Sequence, residues 1–275
     1  MTPLKQALAL AAAWALLGTA QGATVTIPVS ALNPSPGVYT AGGYYTDSLG
    51  QVAVMTGGGN AANVGLASGR NDDGYMVLNL GFDFTFFGTT YSSLYLNNNG
   101  NVSFGAGISA YVPTGPTGAD QPLISPFFGD VDTRNDQSGV LQYNLQAEQL
   151  IVTWDAVGSF NSRGSPFNSF QLVIRSDDYA IPVGEGKIGF FYQEMGWERT
   201  ATSQTAAVGF GDGVGNAEVL AGSNTPGMAA IVNNRYIWFD ANLDPVDPNP
   251  VPLPGTLALA SLAIAGLFGA RSRRR

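Results

Sequence analysis

Apolar and polar positions alternate most cleanly between Met76 and Phe86. There Met76, Leu78, Leu80, Phe82, Phe84 and Phe86 fall on one side, and Val77, Asn79, Gly81, Asp83 and Thr85 on the other. A period of two sends successive side chains to opposite faces, so this segment predicts a half-buried strand. Shorter runs of the same kind predict strands at 24–29, 94–96, 102–104, 140–144, 150–157, 169–175, 187–192, 205–210 and 235–239. Between the second and third of these lies Asn97-Asn98-Asn99-Gly100, whose Asn-Gly pair is a strong hairpin signal. Gly57-Gly58-Gly59 and Asn60-Ala61-Ala62-Asn63 read as a loop. No segment from 24 to 250 has a convincing helical period, with 217–221 ambiguous. Many short strands separated by turn residues predict an all-β fold, an antiparallel β-sandwich over 23–241.

The two ends break this pattern. Lys5 precedes an apolar run at 7–17 and the small residues Gly18-Thr19-Ala20-Gln21-Gly22-Ala23, the order of a secretory signal peptide over 1–22 with cleavage after Gly22. At the other end, 255–270 is uncharged and is followed by Arg271-Ser272-Arg273-Arg274-Arg275. A spanning helix needs about 20 apolar residues, so this run crosses a bilayer only with help from 251–254 or local thinning. Arg271, Arg273, Arg274 and Arg275 then form a cytoplasmic tail, with the body outside. The expected chain is thus a sandwich flanked by a signal-peptide helix and a short transmembrane helix. Prolines recur through 242–254, predicting an extended linker between them.

Removing the ends changes the charge. Lys5 and the four terminal arginines leave 7 basic residues against 20 acidic ones, a net charge of −13 for the body. Such a field repels nucleic acid and excludes it as a partner. The chain has no Cys and no His. An exported protein without disulfides fits a bacterial source and needs a full-sized core. Lack of His removes the commonest general base and the commonest metal ligand.

Val251-Pro252-Leu253-Pro254-Gly255, followed by the apolar run and the arginine tail, resembles the PEP-CTERM sorting signals of bacteria. Leu253 stands where the commonest version has Glu, so the match is to a Val-Pro-Leu-Pro variant. The resemblance implies processing by an exosortase after signal peptidase, and a source that makes exopolysaccharide and biofilm matrix. The body resembles the NIDO domain, an extracellular module named from nidogen. The resemblance rests on 80–88 through 99–105, Ile124-Ser125-Pro126-Phe127-Phe128-Gly129-Asp130-Val131-Asp132-Thr133-Arg134, 151–158 and 168–173, with support from 186–192 and 207–210, and covers about 76–240. It implies association with extracellular matrix and cell-matrix adhesion, and it assigns no catalytic residues.

Candidate chemistry is sparse. Asp130, Asp132 and Asp136 lie close in sequence, and hard cations such as Ca²⁺ take several oxygen ligands. Arg134 occupies what would be the third ligand position of an EF-hand, so the favoured reading is that Asp132 pairs with Arg134 or caps a turn. Asp72-Asp73-Gly74 reads as a turn before the long strand. Asp130 or Asp155 with Glu194 or Glu198 could form a glycosidase pair, but nothing in the sequence fixes their separation. Gly209-Phe210-Gly211-Asp212-Gly213-Val214-Gly215 lacks a βαβ context and reads as a turn rather than a nucleotide loop. Tyr39, Tyr44, Tyr45, Tyr111, Tyr192 and Trp197 could stack on sugar rings, with Tyr44, Tyr45 and Trp197 the candidate ligand-binding residues. Trp154, Phe170 and Trp238 read as core.

The sequence therefore predicts an exported, non-enzymatic module that is held transiently at the inner membrane and then sits at the cell surface or outside. Its expected partners are signal peptidase, an exosortase-type enzyme, and extracellular matrix or exopolysaccharide. No cofactor is expected apart from the candidate calcium site. A carbohydrate-binding module and a secreted polysaccharide hydrolase are the alternatives.

Overall fold

The computed structural model describes residues 22–111, 113–198 and 205–249. The signal peptide up to Gln21, the sorting motif from Val251, the apolar helix and the arginine tail lie outside the described residues. Among the described residues, no helix is long and apolar enough to cross a membrane.

The strands, in chain order, are β1 (Thr24–Ile27), β2 (Asn33–Pro34), β3 (Gln51–Val52), β4 (Gly57–Gly58), β5 (Gly74–Phe86), β6 (Thr89–Asn97), β7 (Asn101–Ser103) and β8 (Pro122–Phe128). They continue with β9 (Leu141–Leu145), β10 (Gln149–Val157), β11 (Asn168–Arg175), β12 (Ile188–Met195), β13 (Ala207–Asp212), β14 (Ala217–Leu220) and β15 (Arg235–Phe239). One five-residue helix, α1 (Met228–Val232), precedes β15. An eight-stranded sheet runs β1-β14-β13-β8-β7-β6-β5-β4, and a seven-stranded sheet runs β2-β15-β12-β11-β10-β9-β3. Pairing is antiparallel throughout except between β1 and β14, which are parallel. The sequence left 217–221 ambiguous, and it forms β14.

Alternation holds along most of β5: Met76, Leu80, Phe84 and Phe86 are buried, Leu78 and Phe82 half-buried, and Val77, Asn79, Gly81 and Asp83 exposed, with a register shift between Asn79 and Phe84. Those inward side chains meet Leu150, Val152, Trp154, Phe170 and Phe190 of the other sheet in one apolar core. Ring contacts tie the sheets directly, with Phe127 and Phe170 centroids 5.7 Å apart and Phe190 and Phe210 5.3 Å apart. Buried apolar surface of this kind contributes about 25 cal/mol per Å² removed from water, which is what holds a chain without disulfides.

β8 is not among the strands that the sequence pattern predicts, and it carries Pro122 and Pro126. The structure accommodates both. Pro122 opens the strand, and Pro126 sits where the β13–β8 register slips between Ala207 paired with Phe128 and Gly209 paired with Ser125. A bulge frees Pro126 from donating to the ladder.

The seven-stranded sheet is apolar on its outer face too. Ile151, Val173, Phe191, Tyr236 and Trp238 form a second cluster there, roofed by Tyr39 and Tyr45 from the N-terminal segment and by Val246. This explains why β10 and β11 read as near-continuous apolar runs. It also brings the start of the expected linker into the fold, since Leu243 is buried and Val246 N donates to Trp238 O (2.8 Å).

Candidate metal centre

The residues at one end of the eight-stranded sheet are polar and buried. The expected Asn-Gly hairpin joins β6 to β7, and Asn97, Asn98, Asn99 and Asn101 in it are all fully buried. Asn97 Nδ2 donates to Asn101 Oδ1 (2.8 Å) and Ser103 Oγ (2.9 Å), closing the turn on itself. Gly100 is obligatory here: its φ is +77°, and a Cβ would lie 1.9 Å from Phe127 O. Asn98 Nδ2 donates to the carbonyls of Asn71 and Val131, and Asn98 O accepts from Trp154 Nε1 (3.0 Å). Asn99 Oδ1 accepts from Val131 N (3.0 Å), while its Nδ2 donates to Asp73 Oδ1 (2.6 Å) and Ala110 O (2.8 Å). One short turn thus binds two distant segments, 71–73 and 129–131.

Those two segments are also zipped to each other. Asp72 and Asp132 form a β-bridge, Asn71 N donates to Thr133 Oγ1 (2.8 Å), and Thr133 Oγ1 donates to Asn71 O (2.9 Å). Arg70 spends its guanidinium on the carbonyls of Thr133, Asn135, Asp136 and Ser138. It therefore holds the loop in shape without facing a carboxylate.

Carboxylates converge as a result. Asp72, Asp73 and Asp130 each place an oxygen so that the three atoms lie within 4.8 Å of one another. Asp132 is adjacent, but it is committed elsewhere. Its Oδ1 accepts from Arg134 N (3.0 Å) and Nε (2.9 Å), and its Oδ2 accepts from Arg134 Nη2 (2.5 Å) and Ser162 N (2.7 Å). Arg134 Nη2 also reaches Asp72 Oδ2 at 2.7 Å. Burial, then repulsion from Asp132 and Asp73, pushes the Asp72 carboxyl up to about 7. Burial likewise raises Asp73, against the opposing hydrogen bond from Asn99.

The trio Asp130, Asp132 and Asp136 is not what the fold assembles. Asp132 pairs with Arg134 and caps its own turn, as the sequence favoured. Asp136 is exposed, its backbone carbonyl accepting from Arg70. Only Asp130 joins a cluster, and its neighbours Asp72 and Asp73 come from a dipeptide read as a plain turn. A separation of 57 residues between Asp73 and Asp130 leaves no local spacing signal; the run of buried asparagines was the one available hint.

The aromatic candidates need correction on burial. Tyr44 is 3% exposed and donates its hydroxyl to Asp155 Oδ1 (2.9 Å). Trp197 is 8% exposed and donates Nε1 to Val157 O (3.0 Å). Tyr192 is fully buried and donates to Pro126 O (2.7 Å), and Tyr39 accepts from Trp238 Nε1 (2.9 Å). Tyr45 packs 5.7 Å from Trp238 and beneath the buried Arg175 guanidinium, 5.6 Å away. Tyr39 and Tyr45 are covered because they roof the apolar outer face of the seven-stranded sheet, and Tyr192 and Trp197 because they belong to the main core. Tyr111 alone of the six is well exposed.

Other candidates resolve similarly. Glu198 accepts from Gly227 N (2.8 Å) and Ala229 N (2.9 Å), one carboxylate oxygen to each, at the start of α1. Gly209 and Gly211 lie within β13, and Gly213-Val214-Gly215 form the β13–β14 turn, where Asp212 Oδ1 accepts from Val214 N and Asn216 N (2.9 Å each). An open groove of about 900 Å³ lies beside the acidic site, lined by Phe160, Asn161, Arg163, Trp197, Glu198 and Asn233 among others. Phe160 is 40% exposed in it, and no local pattern of residues marks it.

Alpha-tectorin of Gallus gallus is 28% identical over 232 residues, covering 67% of this chain and 10% of its own length. Nidogen of Drosophila melanogaster is 26% identical over 171 residues, covering 52% of this chain and 12% of its own length. Dendrite extension defective protein 1 of Caenorhabditis elegans is 27% identical over 176 residues, covering 55% of this chain and 14% of its own. The chain thus spans only about a tenth of the length of the curated relatives it matches. No solved structure matches it. The NIDO-related family matches residues 45–244, including the 45–75 segment that carries Tyr45, Asp72 and Asp73, and the chain belongs to that family.

Proposed function

We propose that the chain is an exported bacterial surface or matrix protein, a β-sandwich that acts without catalysis in cell-matrix adhesion or biofilm-matrix association. The observation that carries this reading is the family match over 45–244, nearly the whole body, to a module that the sequence resemblance associates with extracellular matrix. Export by a signal peptide and sorting by an exosortase at Val251-Pro252-Leu253-Pro254-Gly255 follow from the order of elements at the two ends. The resemblance to a module with no catalytic residues attached, together with the hydrogen bonds that tie Glu198 to α1 and Asp155 to Tyr44, supports a non-enzymatic role.

Fractionation of the source cells tests this, with mass spectrometry of the mature termini. The reading expects the protein in the surface and matrix fractions, beginning near Ala23, ending near Pro254, and weaker attachment of a deletion strain. Protein retained in the cytoplasm with Met1 intact would refute it. The groove at Phe160 favours one second reading, binding of a polysaccharide. An exposed ring flanked by Asn161, Arg163 and Asn233 offers stacking and hydrogen bonding together. That reading expects glycan binding to fall on Phe160→Ala and to persist on Tyr44→Phe.

A further inference from the structure

We propose that Asp72, Asp73 and Asp130, with the side-chain oxygen of Asn98, form a Ca²⁺ site that clips the 71–73 segment, the 98–99 turn and the end of β8 together. The site is new to the matrix-adhesion reading and stands without it. Three carboxylate oxygens lie within 4.8 Å of one another. Two oxygens on opposite sides of a Ca²⁺ ion, each about 2.3–2.6 Å from it, are separated by about 4.6–5.2 Å, so three such ligands fit around one ion.

A second observation is independent of that convergence. Asp72, 8% exposed, keeps Oδ1 without a hydrogen-bond partner, and fully buried Asn98 keeps Oδ1 without one. Both atoms are acceptors, and buried acceptors are normally paired. The Asn98 amide is fixed by donating to the carbonyls of Asn71 and Val131, which precede Asp72 and follow Asp130, so it is tied to both acidic segments. Among the described residues, the cation that ion-pairs with this acidic group is Arg134, shared between Asp72 and Asp132. A buried excess of carboxylate calls for a proton or a cation. The donors are oxygens alone, in a chain that has no His or Cys, so the fitting ions are hard, and the carboxylate and amide set suits Ca²⁺.

The site would also brace the groove. Phe160 N donates to Asp130 O (3.0 Å), so an ion held by Asp130 steadies the loop that carries Phe160.

Calorimetric titration of the chelator-stripped full chain with CaCl₂, paired with thermal unfolding, tests the proposal. Expected are saturable uptake of one ion with Kd about 10⁻⁴–10⁻³ M, the range of extracellular modules, and a higher Tm with calcium. Asp73→Asn, at a partly exposed position, should weaken binding at least tenfold while leaving the calcium-free Tm equal or higher, because it removes like-charge repulsion. Asp130→Asn should abolish binding, and Asp136→Asn should bind as the parent does. No uptake by the parent up to about 10 mM overturns the site. So does a calcium response that survives Asp73→Asn, or one that Asp136→Asn removes equally.

Discussion

Replacing Arg134 with Gln perturbs the acidic end of the sheet most sharply. Arg134 gives two side-chain hydrogen bonds to Asp132, whose side chain is fully buried, and an ion pair at 2.7 Å to Asp72. Removing one partner of a buried pair costs about 3–5 kcal/mol, because the other charge is left without compensation. Arg134 is itself 27% exposed, and water recovers part of that loss. A cost of about 2–3 kcal/mol at pH 8 remains, or a Tm drop of about 4–12 °C for a body of this size.

The cost depends on pH in a fixed direction. The folded-state Asp72 carboxyl sits at about 7, above its ordinary value of 3.8. Between those values the folded state binds more protons than the unfolded state, so this group makes stability fall as pH rises toward 7. Without Arg134 the Asp72 carboxyl moves higher still and that fall extends to higher pH. At pH 5 Asp72 is protonated in the parent too, and only the Asp132 part of the loss is left. Urea unfolding in chelator at pH 5 and pH 8 reads both quantities. A loss under about 1 kcal/mol at pH 8, or an equal loss at both values, would refute the placement of Arg134 as the counter-charge.

Three further outcomes follow from the packing. Gly100→Ala forces a Cβ against Phe127 O at a φ of +77° and should cost more than about 2 kcal/mol in urea unfolding. Trp154→Ala empties a fully buried site stacked 4.9 Å from Phe170 and strips the hydrogen bond to Asn98 O; it should cost about 3–5 kcal/mol by the same assay. Burial, with Asp244 and Asp240 nearby, pushes the Glu218 carboxyl up to about 7, so Glu218→Gln should raise Tm slightly at pH 8 and have no such effect at pH 4.

What could be read from the sequence was what local periodicity encodes. The alternation at 76–86 and the boundaries of β15 match the structure, and Trp154, Phe170 and Trp238 are buried as expected. β8 escaped notice because its prolines are tolerated only through a bulge, which is a property of the pairing with β13. Tyr44 and Tyr45 lie in a polar stretch, and nothing local reveals that a sheet face apolar on both sides will draw them in as cover. The acidic site was half visible. Asp130 was singled out, but its partners Asp72 and Asp73 arrive through the asparagine turn, and Asp132 is withdrawn by Arg134. Both events depend on contacts between segments far apart in the chain.

The central claim is that the body binds extracellular matrix. The most direct measurement is co-sedimentation of the purified, processed protein with matrix isolated from the source culture, at physiological salt and with a non-binding protein of equal net charge as control. The account predicts saturable association that the control does not show, with the matrix polymers left uncut. Association no greater than the control's, or shortening of the polysaccharide during the incubation, would contradict it.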